Sequence, residues 1–204
     1  FYIQVDAIDS YSPYTLHNEL WRSDGTAAGT FLLKKFDPTI SYPINLGSDI
    51  SEYCNNSILG NEMFFAGFTT ANGFELWKSD GTVSGTVMVK DMTAGTGSTP
   101  MDGFTRLGSE VYFFTGSGQL WRTNGTDAGT VNIPLPASLT VYVYNTMVAY
   151  NGKLIFIGYD AANGMEPWIS DGTTAGTHII ANTSPRTDYN YVLKDLMFKT
   201  VVLY

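Results

Sequence analysis

The sequence predicts an all-β fold: a β-propeller-like array of four-stranded antiparallel blades, with about four blades and partial strands at the termini. Three observations support this prediction. A twelve-residue segment recurs four times, short strand-like runs precede its copies, and no stretch shows a convincing 3.6-residue helical periodicity. Four-stranded units that recur at about 40 to 50 residues are typical of propeller blades. A solenoid of hairpins is the alternative that this period leaves open.

The recurring segment contains every tryptophan of the chain. It is ELWRSDGTAAGT at 19–30, ELWKSDGTVSGT at 75–86, QLWRTNGTDAGT at 119–130 and EPWISDGTTAGT at 166–177, and we call these the repeat segments. The tryptophan always stands third. Because each buried aromatic contributes on the order of 2 to 3 kcal/mol, we expect the tryptophans to form a column packed between neighbouring blades.

Short apolar runs before the repeat segments predict the other strands. EMFFAGF (62–68), EVYFFTG (110–116) and KLIFIGY (153–159) are rich in aromatic and β-branched residues and are too short for helices. Asn151-Gly152 predicts a two-residue type I′ hairpin, which needs positive φ at both positions. Runs after the turn, such as Phe31-Leu32-Leu33, Val87-Met88-Val89 and Ile179-Ile180, do not alternate with polar residues. They predict fourth strands that are covered on both faces.

The Asx-Gly-Thr core of each repeat segment predicts a tight turn between the third and fourth strands, at the outer edge of the blade. An Asx side chain accepts bonds from its own backbone two residues on, glycine supplies a left-handed conformation, and the threonine hydroxyl satisfies another amide. We expect the same left-handed backbone conformation at Gly29, Gly85, Gly129 and Gly176. The predicted structural residues of this turn are Trp21, Asp24, Gly25, Trp77, Asp80, Gly81, Trp121, Asn124, Gly125, Trp168, Asp171 and Gly172.

The repeat segments resemble the ELWxxDGT repeat family. That resemblance implies a non-enzymatic, propeller-like module from a large secreted or surface protein of bacteria. Gln119, Asn124 and Pro167 depart from the motif. They leave the fold intact and argue against a carboxylate chemistry shared by all repeats. The turn is also similar to the Asp-box of sialidase propellers, a similarity that carries no sialidase activity with it.

The repeats suggest a domain organisation that spans the whole chain, 1–204, as a single propeller or a section of a longer one, with the section favoured. The repeats cover approximately 1–37, 51–92, 103–134 and 145–183, followed by a partial blade at 191–204. The opening run FYIQV is expected to be the second strand of the first blade, followed by a long loop.

Composition excludes several classes of partner and site. The formal net charge of −8, from 11 basic and 19 acidic residues, disfavours nucleic acid and anionic membrane surfaces. Cys54 is the only cysteine, which excludes an intrachain disulfide framework and a multi-cysteine metal site, and a buried thiol is expected. The low charged fraction resembles extracellular bacterial proteins. We expect an extracellular or cell-surface location.

Catalytic groups are scarce in the sequence. The two histidines are His17, expected in a solvated loop, and His178, which occupies a core or edge position equivalent to Phe31, Val87 and Val131. Their spacing predicts no zinc site, and no glycine-rich motif indicates a phosphate cofactor. We therefore expect no catalytic residue and no cofactor. Calcium is the alternative considered, but one carboxylate per turn falls short of the several oxygens that it needs.

The irregular segments predict the binding surface. They are 6–18, 37–50, 92–103, 135–144, 159–165 and 184–191, on the side of the blades opposite the repeat turns. The candidate partner-binding residues there are Tyr11, Tyr14, Tyr42, Tyr142, Tyr144, Tyr159, Tyr189 and Tyr191, accompanied by Asp6, Asp9, Asp160 and Asp188. Ordinary solvated loops would also contain tyrosines. The favoured function is a non-enzymatic interaction or adhesion module that binds a protein partner. A lectin-like carbohydrate-binding module is the alternative, and a glycoside hydrolase using Asp160 and Asp188 is a weaker one.

Overall fold

The protein is built from β-strands in every part of the chain that the structure describes. The computed structural model describes residues 1–11, 14–36, 44–45, 56–141 and 147–182. Within these ranges, sixteen strands form four antiparallel sheets, which we number in chain order. The all-β prediction is confirmed. No helix among the described residues is long and apolar enough to cross a membrane.

The first sheet is a long hairpin with one further strand. Its strands are β1 (Tyr2–Tyr11), β2 (Tyr14–Arg22) and β3 (Phe31–Phe36), in the order β1-β2-β3. The run FYIQV begins β1, beside the tryptophan strand as predicted. The prediction of an irregular loop at 6–18 is wrong, because β1 and β2 pair as far as Tyr11 and Tyr14, with an irregularity between Ile8 and Ser10. Extended pairing satisfies the backbone donors and acceptors that a loop would leave to water.

The second sheet is four strands wide, and its first edge is divided between two short strands. Its strands are β4 (Ile44–Asn45), β5 (Asn56–Leu59), β6 (Glu62–Thr69), β7 (Gly73–Ser79) and β8 (Val87–Lys90). Ile44 pairs with Gly67 and Asn56 with Phe65, so β4 and β5 follow each other along the edge of β6 that faces away from β7.

The third and fourth sheets are four-stranded meanders. Their strands are β9 (Met101–Leu107), β10 (Glu110–Thr115), β11 (Leu120–Thr123) and β12 (Val131–Ile133), then β13 (Met147–Tyr150), β14 (Lys153–Asp160), β15 (Gly164–Ser170) and β16 (His178–Ile179). Asn151 and Gly152 have φ of 48° and 72°, which confirms the predicted hairpin. The segment 159–165 is a tight hairpin closed by the pair Asp160 and Gly164, so the prediction of an irregular loop is wrong there too.

Antiparallel pairing gives each sheet two different ends. The end that carries the repeat turns, with the hairpins joining first to second strands, is the turn face. The opposite end, the loop face, carries the hairpins joining second to third strands and the crossing segments 91–100 and 134–141, which lead to the next sheet.

Three hydrophobic clusters lie between successive sheets. Trp77 belongs to the cluster between the first and second sheets, Trp121 packs against the next cluster, and Trp168 belongs to the third. The prediction that tryptophans pack between neighbouring sheets is confirmed at these three of the four positions. Trp21, in the first sheet, is half-buried and its Nε1 donates to Glu19 at 2.7 Å. The first strands also approach one another, since β5 contacts β9 and β9 contacts β13.

Burial separates the second strands from the fourth strands. Phe64, Phe65 and Phe113 on the second strands are fully buried, on alternating faces of their sheets. The prediction that fourth strands are covered on both faces is wrong, because Phe31 is 37% exposed and Val87 is 40% exposed. A fourth strand forms the outer edge of its sheet, where the neighbouring sheets cover it only in part. His178 is exposed on such an edge strand.

Candidate functional site

The repeat turns bind their own polar side chains. In the second sheet the backbone N and Oγ1 of Thr82 both donate to Asp80 Oδ1, at 2.9 and 2.7 Å, and Gly85 N donates to Thr82 Oγ1 at 2.9 Å. The other three turns repeat these bonds, with Asn124 Oδ1 as the acceptor in the third sheet. The predicted Asx and threonine bonds are confirmed.

A second set of hydroxyls closes each turn, and the sequence interpretation missed it. Ser79 Oγ accepts from Gly81 N at 3.1 Å and lies 2.8 Å from Thr86 Oγ1, which donates to the carbonyl of Thr82. The equivalent pairs are Ser23–Thr30, Thr123–Thr130 and Ser170–Thr177. The signal was present, because Ser or Thr precedes every Asx and every repeat segment ends in Thr.

The two glycines of each repeat segment meet different needs. Gly25, Gly81, Gly125 and Gly172 have φ between 83° and 92°, as predicted. The prediction of a left-handed conformation at Gly29, Gly85, Gly129 and Gly176 is wrong, since these do not have positive φ. Their constraint is space: a Cβ built at these positions would lie 2.0 to 2.1 Å from the Asx side chain of the same turn.

The turn carboxylates are held ionised by the turn itself. The hydroxyl bond from the threonine two residues on is the largest cause that lowers the pKa of Asp24, Asp80 and Asp171, and the backbone bond from that threonine adds to it. Within the described part of the chain, no three metal-ligating side chains come together. These carboxylates therefore have a structural role: each one fixes the backbone of its own turn by accepting hydrogen bonds.

Glu75, the glutamate that opens the second repeat segment, is fully buried and fastens a loop. Its Oε2 accepts from Met92 N at 2.5 Å and its Oε1 from Thr93 N at 3.4 Å. Burial, with a smaller contribution from the nearby Asp91, raises its pKa to about 7 against the lowering effect of these two bonds. Nothing in the repeat motif itself indicates this role. Its bonds hold the start of the crossing segment 91–100 against β7.

A cleft of about 320 Å³ opens on the loop face between the second and third sheets. The crossing segment 91–100 forms one wall, and the hairpin between β10 and β11 forms the other. Its polar and aromatic lining comes from Thr93, Ser98, Thr99, Thr115, Ser117, Gln119 and Trp121. Two backbone bonds of 2.8 Å fix the crossing segment to both hairpins: Thr99 N donates to Phe74 O, and Gly116 N donates to Pro100 O.

Beside the cleft, the third sheet departs from the pattern of the second and fourth sheets. Gly67 and Gly158 lie beside the tryptophans of their own sheets, where a Cβ would be 2.8 Å from Trp77 Cδ1 and 2.9 Å from Trp168 Cδ1. The register places Thr115 at the equivalent position of the third sheet. Trp77 and Trp168 are buried, whereas Trp121 is half-exposed and lines the cleft.

Neighbouring side chains cover Trp77 and Trp168, whereas Trp121 stays partly exposed. The Phe36 ring packs edge-on against Trp77, with 5.4 Å between centroids, and Lys34 Nζ lies 4.7 Å from the Trp77 ring centroid. Leu139, from the crossing segment 134–141, shares a buried cluster with Trp168. The segment 92–103 was predicted to be part of the binding face, whereas a binding role for Trp121, Gln119 or Ser117 was not predicted from the sequence.

Three of the eight candidate tyrosines fall on described residues. Tyr11 and Tyr14 pair at the loop-face end of the first hairpin, and Tyr159 is half-buried with its backbone paired to Thr140 at 2.8 and 2.9 Å. Tyr11 and Tyr14 thus belong to the first sheet, whereas Tyr159 belongs to the fourth. Tyr42, Tyr142, Tyr144, Tyr189 and Tyr191 lie outside the described residues, as do Cys54 and Asp188.

Asp160 closes a hairpin. Its Oδ1 accepts from the backbone N of Ala162 and of Asn163, each at 2.8 Å, and the Asn163 amide donates to both of its oxygens. Burial, the largest single influence, favours the neutral form, but these bonds together outweigh it and lower the pKa of Asp160. A carboxyl held ionised in this way is poorly suited to act as a general acid.

Comparison with known protein families finds no match for this chain, and comparison with curated proteins finds none either. The function must therefore be inferred from the repeat turns and the loop face themselves.

Proposed function

We propose that this chain is a non-enzymatic interaction or adhesion module, built from propeller-like repeats of the ELWxxDGT type and belonging to a secreted or cell-surface protein. The observation that carries the proposal is the identical bonding of the four repeat turns. A feature shared by every sheet answers a structural need that every sheet has. The cleft beside Trp121 lies on the loop face, where binding surfaces on rigid scaffolds commonly form.

The contacts between sheets support a propeller-like arrangement. First strands of successive sheets approach one another, β5 with β9 and β9 with β13, while each tryptophan after the first packs towards the preceding sheet. Sheets that are arranged radially bring their innermost strands together in this way.

Two buried acidic side chains, Glu75 and Asp160, have structural roles, which supports a binding function rather than a catalytic one. Glu75 holds two backbone amides from a fully buried position, and Asp160 closes its own hairpin. Each is committed to fixing backbone, which leaves it poorly placed to exchange a proton with a substrate. The turn carboxylates are committed in the same manner.

Composition favours protein or glycan partners outside the cell. Charged residues make up 15% of the chain and the formal net charge is −8. Such a surface repels nucleic acid and anionic lipid at long range. A lectin-like function is the second candidate, because the cleft that Trp121 lines combines an aromatic ring with hydroxyl and amide groups.

The proposal is tested by labelling the purified chain and measuring its binding to intact cells and to a glycan array. The double substitutions Tyr142→Ala with Tyr144→Ala, and Tyr189→Ala with Tyr191→Ala, should weaken binding while the thermal melt stays nearly unchanged. Tyr150→Ala is the control, since Tyr150 is 71% exposed and lies at the turn-face end of β13. Equal loss of binding in Tyr150→Ala, or turnover of any glycan, would contradict the proposal.

A further inference from the structure

We infer that the cleft between the second and third sheets is a binding site for a neutral saccharide, with Trp121 as its stacking platform. This inference rests on the proposed function, because it names a ligand for part of the loop face. The cleft, its lining and its absence of charge carry the argument together.

The Trp121 ring supplies the apolar surface that a sugar ring needs. A pyranose presents C–H groups on its flat faces and hydroxyls around its edge. It therefore stacks on an aromatic ring that has hydrogen-bonding groups around it. Trp121 packs against the buried cluster between the second and third sheets and also lines the cleft. An indole held in this way offers a rigid contact area at low entropic cost.

The walls supply hydrogen-bonding groups at the edge of that platform. Thr93 Oγ1 lies 2.7 Å from Thr99 Oγ1, and Thr115 Oγ1 lies 3.0 Å from Ser117 Oγ. Because a hydroxyl has one donor and two acceptor positions, each of these pairs retains capacity for a ligand. Gln119 Oε1 accepts from Trp121 Nε1 at 3.4 Å, and the Gln119 amide nitrogen carries two further donors.

The charge and size of the cleft select a small neutral ligand. None of the side chains that line it is ionisable, and the Glu75 carboxylate behind one wall is occupied by Met92 N and Thr93 N. The described residues that line the cleft therefore offer no counter-charge to an anionic or cationic ligand. A volume of about 320 Å³ is near the lower end of the ~300 to 1,000 Å³ range of ligand pockets. It suits one or two sugar rings.

The cleft is preorganised by close backbone packing. Phe74 N donates to Ser98 Oγ at 3.1 Å, in addition to the bond from Thr99 N to Phe74 O. Gly73 allows this approach: its φ is 73°, and a Cβ built there would lie 1.9 Å from Gly97 O. Walls that are fixed before binding lose little conformational freedom when a ligand arrives.

The experiment is a screen of the purified chain on an array of neutral and acidic glycans, followed by titration of any neutral hit with tryptophan fluorescence. We expect at least one neutral oligosaccharide to bind, and the affinities of all variants are compared by titration calorimetry, because Trp121→Ala removes the fluorescent group at the site. Gln119→Ala, at an exposed side chain, should weaken binding about 3- to 10-fold, as expected for a lost hydrogen bond. Trp121→Ala should weaken it about 30-fold or more, as expected for the loss of a central aromatic contact.

Because Trp121 also packs against a core cluster, the thermal melt of Trp121→Ala is measured as a check that this variant folds. If Trp121→Ala is unfolded, the test rests on the affinity of Gln119→Ala. Tyr150→Ala, at an exposed aromatic residue on the turn face, should bind like the parent. The site is overturned if the parent chain binds no neutral glycan, or if Gln119→Ala and folded Trp121→Ala both bind like the parent.

The outcomes separate this inference from the proposed function. Binding to cells that depends on Tyr142 and Tyr144, with no neutral glycan bound, would overturn the saccharide site and leave the interaction module standing. Hydrolysis of a glycan that needs Trp121 and Gln119 would support the saccharide site and contradict the non-enzymatic function.

Discussion

The Asp80 carboxylate fills the space that a side chain at position 85 would need. A Cβ built on Gly85 would lie 2.0 Å from Asp80 Oδ1, the same oxygen that accepts both bonds from Thr82. The second glycine of the repeat segment therefore leaves space for the hydrogen-bonded Asx side chain. The same close approach recurs in all four turns, with Asn124 taking the place of aspartate in the third sheet.

Gly85→Ala is expected to destabilise the protein by about 2 kcal/mol or more, because the added methyl group must displace the Asp80 side chain from its bonds. Gly116→Ala is the matched control. Its Cβ would make ordinary contacts, the nearest at 3.4 Å, and its φ is not positive, so we expect a change within about 0.5 kcal/mol. Chemical denaturation measures both. Equal stability of the two variants would contradict the spatial explanation.

Substitutions at Asp80 are expected to separate hydrogen bonding from charge. Asp80→Ala removes the acceptor of two bonds and should lower the melting temperature. Asp80→Asn should melt close to the parent, because Asn124 accepts the equivalent bonds in the third sheet. If Asp80→Asn were as destabilised as Asp80→Ala, the charge would matter more than the bonds.

Gly81→Val is expected to cost about 1 to 3 kcal/mol, since Gly81 has φ of 83° and a β-branched residue resists that conformation. A Cβ at this position would also lie 3.2 Å from Arg22 Cδ in the first sheet. Gly95→Val is a comparison at a glycine with φ of 77° and an open surrounding, so the difference between the two variants isolates the contact with Arg22. A parent-like melt for Gly81→Val would show that the turn is more adaptable than its geometry indicates.

Glu75 predicts a pH dependence with a definite sign. Its folded pKa of about 7 exceeds the ordinary value of 4.5, so between these pH values the folded state holds a proton that the unfolded state has lost. The contribution of Glu75 to stability is therefore fully present below pH 4.5, falls as the pH rises to about 7, and changes no further above that.

Glu75→Gln should remove this trend, because it replaces the titrating carboxyl by the amide that the third repeat segment carries at Gln119. The stability of the variant relative to the parent should rise between pH 4.5 and pH 8, by on the order of 3 kcal/mol. Asp80→Asn is the control, because the lowered pKa of Asp80 places its titration below this window. Denaturation curves with the same pH trend for the parent and for Glu75→Gln would contradict the prediction.

Gly67→Ala tests why the cleft opens at one tryptophan. The added Cβ would lie 2.8 Å from both Trp77 Cδ1 and Phe36 Cε1, so the core must shift, at a cost of about 1 to 3 kcal/mol. Displacement of Trp77 towards solvent should shift its fluorescence to longer wavelength. Unchanged emission and stability would show that Thr115 is not the reason for the exposure of Trp121.

The repeat segments made the local structure predictable from sequence. The Asx bonds, the left-handed first glycines and the Asn151-Gly152 hairpin follow from residue chemistry within a few positions. The long hairpin at 6–11 and 14–18 was not predicted, because each strand is recognisable only from its pairing with the other. The Ser-Pro sequence between the two strands is more typical of a loop. The exposure of Phe31 and Val87 depends on where a sheet ends, which apolar runs alone do not encode.

The cleft was beyond prediction for a related reason. One wall is a crossing segment whose packing is set by tertiary contacts, and the difference between Gly67 and Thr115 at equivalent positions becomes apparent only from the strand register. The segment 92–103 was predicted to lie on the binding face, but only the fold brings it beside Trp121 and Gln119. The role of Glu75 has the same origin, since its partners lie 17 and 18 residues away.

The central claim is that the repeat turns are scaffold and the loop face binds. Hydrogen exchange of the chain with and without a bound glycan or cell-surface partner tests it most directly. The account predicts that the partner protects backbone amides on the loop face, within 92–100 and 115–121, while exchange in the repeat turns at 24–29, 80–85, 124–129 and 171–176 stays unchanged. Protection confined to the repeat turns would contradict it.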